Sequence, residues 1–270
     1  MLRLLPGFGI ILLGACVGLV DVDVTATDTG ETNGTGGETG AATEPTGGTT
    51  GPVCAGSSGE TTCPASCVEV LGEMPGAADG EYTLYVDGDA GRPWQAWCAD
   101  MHGTPAEYLL LSLTGPGYNY SEYVQGAGQA SVTPVRTTYS RVRIDPHDLL
   151  VDVGDKTFSS SSGQLMHGDT LVTSMPYGAA MDCVTTYSMS GRGNIDLRGT
   201  PFTASTDQFF VDGYAAEGMV ASDPKGQVID LYAGGACGYI LPEEFPDVVA
   251  PFNEWGDFYL QLEYAPPVSP

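Results

Sequence analysis

Basic side chains are scarce. Nine Lys and Arg stand against 34 Asp and Glu, which leaves a formal charge of −25. Nucleic-acid binders carry a basic footprint that neutralises phosphates, so nucleic acid is excluded as a partner. Docking on anionic lipid through a polybasic patch is excluded on the same ground. Histidine is scarcer still. His102, His147 and His167 share no short motif and no H-E-x-x-H occurs, so two imidazoles one helical turn apart on a Zn²⁺ are absent. The closest approach to a serine-hydrolase elbow, Ser188-Met189-Ser190-Gly191, lacks the first glycine. No phosphate-cradling Walker motif is present, and Gly191-Arg192-Gly193 reads as a turn. Cys63 and Cys67 have the spacing of half a zinc site, but no second pair or nearby His completes it. The expectation is a chain with no catalytic residue, no metal and no cofactor. A motif-less pair among the many carboxylates is the enzyme alternative.

Long apolar runs are also missing. Leu4 to Leu13 is broken by Pro6 and glycines, and even extended to Val20 it is shorter than the roughly 20 residues that span a bilayer. A short apolar stretch after Arg3, ending in small residues, has the form of a secretory signal. Its end, Leu13-Gly14-Ala15-Cys16, resembles the lipobox of bacterial lipoproteins. That resemblance implies a signal peptide over 1–15 and a lipid on Cys16, with acyl chains holding the protein at a membrane. The next segment is low in complexity. Ten Thr and eight Gly fill 25–52 without one basic residue, so 16–66 reads as a disordered tether ending in a small cysteine loop.

Seven cysteines are an odd number. With Cys16 assigned to lipid, Cys54, Cys63, Cys67, Cys98, Cys183 and Cys237 remain, and in an exported chain these form three disulfides in one of fifteen arrangements. Thirty-eight Gly and 19 Pro argue for many turns and against a helical bundle. Ser66 followed by Glu69 has capping-box spacing and predicts one short helix ending near Gly72 or Gly76. Strand-type runs follow at 81–86, 93–101, 107–113, 138–144, 149–153, 194–199, 227–232 and 258–264. In 138–144, alternation puts Tyr139, Arg141 and Arg143 on one face, with Ser140, Val142 and Ile144 on the other. The fold expected is mainly β, at its margin a β-rich α+β chain: antiparallel sandwich or barrel-like sheets behind one N-terminal helix. It occupies 67–265, and 266–270 form a tail.

Three polar features need weighing. Asp87 and Asp89, and separately Asp152 and Asp155, supply oxygens at acidic turns but lack the remaining ligands of a calcium loop. Asp145-Pro146-His147-Asp148 lies between two strand runs and reads as a capped turn. Tyr118, Tyr120 and Tyr123, among flanking glycines, form the candidate binding surface, because Tyr rings offer contact area at small entropic cost. Asn119-Tyr120-Ser121 is a glycosylation sequon.

Segment 66–101, with Trp97-Cys98-Ala99-Asp100-Met101 at its end, resembles the opening of fibrinogen-like domains. The continuation resembles the GON domain, the C-terminal ancillary module of ADAMTS-type metalloproteases, which also occurs in bacterial secreted proteins. The most specific elements of the resemblance are Trp97 to Met101 and Gly193 to Phe202. The fibrinogen-like resemblance implies a Cys67–Cys98 bond. Cys183 with Cys237 and Cys54 with Cys63 then remain, against the alternative of Cys54 or Cys63 bonding Cys98. Animal GON domains carry more cysteines than this chain does. The family implies a non-catalytic extracellular module recognising protein or glycan, and a zinc-endopeptidase label here would be inherited without its catalytic domain.

Overall fold

The computed structural model describes residues 54, 63–126, 133–184, 188–242 and 258–265. The chain divides into units Met1–Gly47 and Gly48–Pro270, and every described residue belongs to the second. The signal peptide, Cys16, most of the tether and the 266–270 tail lie outside the described residues.

Helix α1 (Cys67–Glu73) begins where the sequence places it. The Ser66 Oγ accepts the Glu69 N–H at 3.2 Å. The Glu69 carboxylate reaches back one residue further than a capping box requires and accepts the Ala65 N–H at 2.6 Å. Sixteen strands follow among the described residues. They begin with β1 (Gly80–Tyr85), β2 (Pro93–Ala99), β3 (Ala106–Leu110), β4 (Tyr120–Tyr123), β5 (Thr133–Tyr139) and β6 (Arg141–Asp145). Next come β7 (Leu150–Asp152), β8 (Ser159–His167), β9 (Thr170–Val172), β10 (Ala180–Asp182) and β11 (Gly191–Asp196). The last are β12 (Phe202–Thr203), β13 (Phe209–Ser222), β14 (Val228–Pro242), β15 (Tyr259–Gln261) and β16 (Glu263–Tyr264).

The strands form a six-stranded sheet ordered β1-β2-β3-β6-β7-β15, an eight-stranded sheet ordered β10-β14-β11-β4-β5-β8-β9 with β13 on β14, and a β12–β16 pair. Pairing is antiparallel apart from β10 against β4, so the mainly-β expectation holds. One continuous core takes side chains from both large sheets. Trp94, Ala96 and Cys98 point inward from β2, and the Trp94 ring meets the Phe202 ring edge-on at 5.6 Å. Burying such side chains stabilises by about 1.5–3 kcal/mol each.

Segment 138–144 is one departure from the sequence reading. It is two strands in two sheets. The chain crosses at the exposed Ser140, so Tyr139 is buried and does not share a face with the outward Arg141 and Arg143. A single run of alternation cannot reveal such a crossing, because both halves keep period two.

Of the two stretches most specific to the resemblance, Gly193 to Phe202 is scaffold. β11 packs so closely that a Cβ on Gly193 would lie 2.5 Å from the Ala179 carbonyl oxygen, and one on Gly191 would lie 2.5 Å from that of Met181. Asn119 is fully buried with φ 48°, a conformation Asn tolerates. Its amide donates to the Leu113 and Asp196 carbonyls, both at 2.9 Å. Its Oδ1 accepts the Tyr177 hydroxyl at 2.7 Å and the Asp196 N–H at 2.8 Å, while the Asn194 Oδ1 accepts the Asn119 N–H at 3.0 Å. This hub joins β4, β11 and the strand-free loop at Tyr177.

Candidate cleft and uncommitted side chains

The eight-stranded sheet carries a cleft of about 590 Å³. Its floor is Cys237, Tyr239 and Leu241 of β14 with Met181 of β10. One wall is the β8–β9 turn and β9 itself, from His167 to Ser174, and the other is Gly213 and Tyr214 of β13. Two rim side chains are unusually open for their type: Leu171 is 52 % exposed and Tyr214 is 79 % exposed. Among the described residues, β9 pairs only with β8 and β13 only with β14, so each has an edge free for main-chain pairing.

Beneath the wall lies a small polar cluster. The Tyr123 hydroxyl and His167 Nδ1 are 2.7 Å apart, and that hydroxyl is also 3.2 Å from Cys183 Sγ. Burial, with the Asp182 carboxylate nearby, holds the Tyr123 phenol well above its ordinary range, so it stays a neutral hydroxyl. His167, Cys183 and Cys237 place their donor atoms within 4.8 Å of one another. Cys183 and Cys237 are bonded to each other, however, and the metal-binding form of cysteine is the thiolate. Asp182 is fully buried. Desolvation raises its pKa, opposed by the hydroxyl and N–H of Ser190 and the N–H groups of Val184 and Cys183. At the rim, the Tyr239 hydroxyl donates to Asp212 Oδ2 at 3.1 Å, and desolvation pushes its pKa up too.

The structure separates the three tyrosines of the candidate surface. Tyr118 is 39 % exposed, and Tyr120 is half-buried with the Arg136 guanidinium 3.5 Å over its ring. Tyr123 is fully buried and takes no part in that surface. The reason is strand periodicity: β4 turns Ser121 and Tyr123 inward, and Tyr120 and Glu122 toward the opposite side. The sequon asparagine, Asn119, has its amide enclosed in the hub, so the folded chain does not present it for glycosylation.

The acidic turns employ their carboxylates locally. Asp87 pairs with Arg92 at 2.5 Å, and Asp89 accepts the Gly91 N–H. Asp152 accepts the Gly154 and Asp155 N–H groups, and Asp155 accepts the Thr157 N–H. Asp145 Oδ1 accepts from the His147 and Asp148 amides, as a capped turn should. His102 and His147 are exposed, each on its own turn. The cysteines pair as Cys54–Cys63, Cys67–Cys98 and Cys183–Cys237, with Cα separations of 4.3, 5.6 and 3.7 Å. Three disulfides belong to an oxidising compartment.

The cleft itself was not legible in the sequence. β13 is mostly exposed along 211–215 on both faces, which leaves no alternation to read, and β9 is three residues long.

The comparisons agree with the GON part of the resemblance. "A disintegrin and metalloproteinase with thrombospondin motifs gon-1" of Caenorhabditis elegans is 25 % identical over 223 residues, covering 72 % of this chain. The chain spans about a tenth of that relative's length, 10 %. No solved structure matches. The GON domain family matches residues 64–133 and 128–248, so the chain belongs to the GON domain family.

Proposed function

We propose that this chain is a non-catalytic GON module, anchored by lipid on Cys16, that recognises an extracellular protein through the cleft between β9 and β13. The observation that carries this reading is the cleft's construction: a largely apolar floor, an exposed Leu171 and Tyr214 at the rim, and, among the described residues, a strand with a free edge on each side. An extended polypeptide gains main-chain hydrogen bonds at such edges and side-chain pockets beside them. The net charge of −25 favours a basic partner segment.

The test uses the full chain on an array of extracellular-matrix proteins, beside the double variant Leu171→Ser/Tyr214→Ser. Partners should be captured by the wild type and lost from the variant while its melting temperature holds. Equal capture by both chains contradicts the assignment. Anchoring is tested by growth in labelled palmitate: the wild type takes up label and Cys16→Ala does not, whereas label in both, or in neither, removes the anchor from the reading.

A further inference from the structure

The six-stranded sheet has its own feature, independent of the cleft. Arg141 and Arg143 lie two residues apart on β6 and both point outward. On a strand that spacing sets their Cα atoms about 7 Å apart. The Arg141 guanidinium lies 4.2 Å over the Trp97 ring and 4.6 Å over the Phe158 ring. Those rings are fixed by further edge contacts, Trp97 to Phe158 at 6.4 Å and Tyr108 to Phe158 at 4.7 Å. In register, Trp97, Tyr108 and Arg143 form one row across β2, β3 and β6.

The other arginines stacked on rings set the comparison. Arg92 lies over Tyr264 and pairs with Asp87. Arg136 lies over Tyr120 and pairs with Glu122 at 3.3 Å. Arg192 lies over Tyr232 and donates to the Met189 and Gly191 carbonyls. Arg198 lies near Tyr118 and grips Asp196 with two nitrogens. Arg141 differs. Its guanidinium has stacking contacts, but among the described residues it has no hydrogen-bond acceptor or carboxylate partner. Arg143 has one weak partner, Asp155 at 4.0 Å, and Asp155 is already bonded to Tyr108 and Thr157. In a chain of charge −25, two adjacent cations with free donors are conspicuous.

We propose that this face is a recognition site for a carboxylated saccharide. The Arg141 fork receives the carboxylate, Arg143 adds the second positive charge, and the Trp97 and Phe158 rings line the sugar's C–H edges. A planar guanidinium held between two rings has already lost much of its rotamer freedom, so less is lost when it engages a carboxylate bidentately. The location selects the ligand class. β2, β3 and β6 are interior strands of their sheet, with main-chain groups already paired on both sides. A peptide therefore finds no edge to extend here. A sugar is recognised by side chains alone, and Gln95 lies beside Trp97 on the same outward face, where its amide donates to Thr83 Oγ1 at 2.9 Å and its carbonyl oxygen can accept from a hydroxyl.

The experiment is calorimetric titration of the full chain with a hyaluronan tetrasaccharide and a galacturonate trimer, with their carboxyl-reduced forms and a hexaglutamate peptide as comparisons. At least one acidic sugar should bind saturably, and its reduced form should not. Arg141→Met, which keeps the aliphatic stem, should weaken binding by about tenfold or more, and Arg143→Gln by less. Arg141→Lys, which keeps the charge but loses the fork, should fall between wild type and Arg141→Met. Circular dichroism shows each variant folded, and a misfolded Arg141 variant leaves Arg143→Gln to decide. The site is overturned if neither acidic sugar binds, if the reduced forms bind equally, if the folded variants bind like wild type, or if hexaglutamate binds more tightly than either sugar.

Discussion

The two large sheets use polar side chains in opposite ways. In the eight-stranded sheet the informative polar groups point inward: Asn119, Asn194, Asp196 and Ser121 are buried, and the Asn119 amide alone serves four partners. In the six-stranded sheet, apart from the buried Glu107 that accepts the Cys67 N–H at 2.6 Å, they point outward, where Arg141 retains unused donors. A buried amide with every bond made holds a fold together, whereas an exposed donor with none made is available to a ligand. The contrast teaches that a highly recognisable stretch of this chain, Gly193 to Phe202, is architecture, whereas the other, Trp97 to Met101, lends Trp97 to the outward face proposed for recognition.

The sharpest way to break that contrast is Asn119→Ala. Four groups lose their partner inside the protein, and the expected cost is about 4 kcal/mol in urea unfolding. A loss below about 1 kcal/mol would demote the hub to an incidental network. Next is the staple that ties α1 to β2. Replacing Cys67 and Cys98 together by Ser releases a separation of 31 residues and should cost about 3–4 kcal/mol in the loop-entropy picture.

A smaller effect tests the buried acids. The folded-state pKa of Asp182 is raised, so its contribution to stability is present in acid, below the unfolded value. That contribution is lost as pH rises through the folded value. Asp182→Asn should therefore unfold at higher urea than wild type at pH 7.5 and match it near pH 3.5. A variant that is less stable at pH 7.5 reverses the sign and shows the carboxylate to be held as an anion. The smallest effect is at the rim: Tyr214→Ser should shift stability by less than about 0.5 kcal/mol, because that ring is already in water.

Much of the six-stranded sheet was legible from its residues. β1, β2, β3 and β7 announce themselves by β-branched, aromatic and alternating positions between turn residues. The helix start was legible from Ser66 and Glu69, because a cap is a local event. β4, β8, β9, β10 and β13 were not singled out. β8 opens with four serines, and β13 is exposed over most of its length, so neither carries the contrast between faces that periodicity reads. The binding groups were legible only in part. Tyr118 and Tyr120 do reach the surface side of the sheet, but Tyr123 went inward with the pleat. Arg141 looked like one member of an alternating strand, and its stacking depends on Phe158, seventeen residues away beyond β7, where no local motif reaches.

The division between scaffold and recognition is tested most directly by urea-unfolding free energies of wild type, Asn119→Ala and Arg141→Met measured side by side. Arg141→Met removes two cation–π contacts at a partly exposed site, worth about 0.5–1 kcal/mol each, so it should stay much closer to wild type than Asn119→Ala does. If Arg141→Met destabilises the chain as much as Asn119→Ala does, the stacked arginine is a structural pin and the account of the outward face fails.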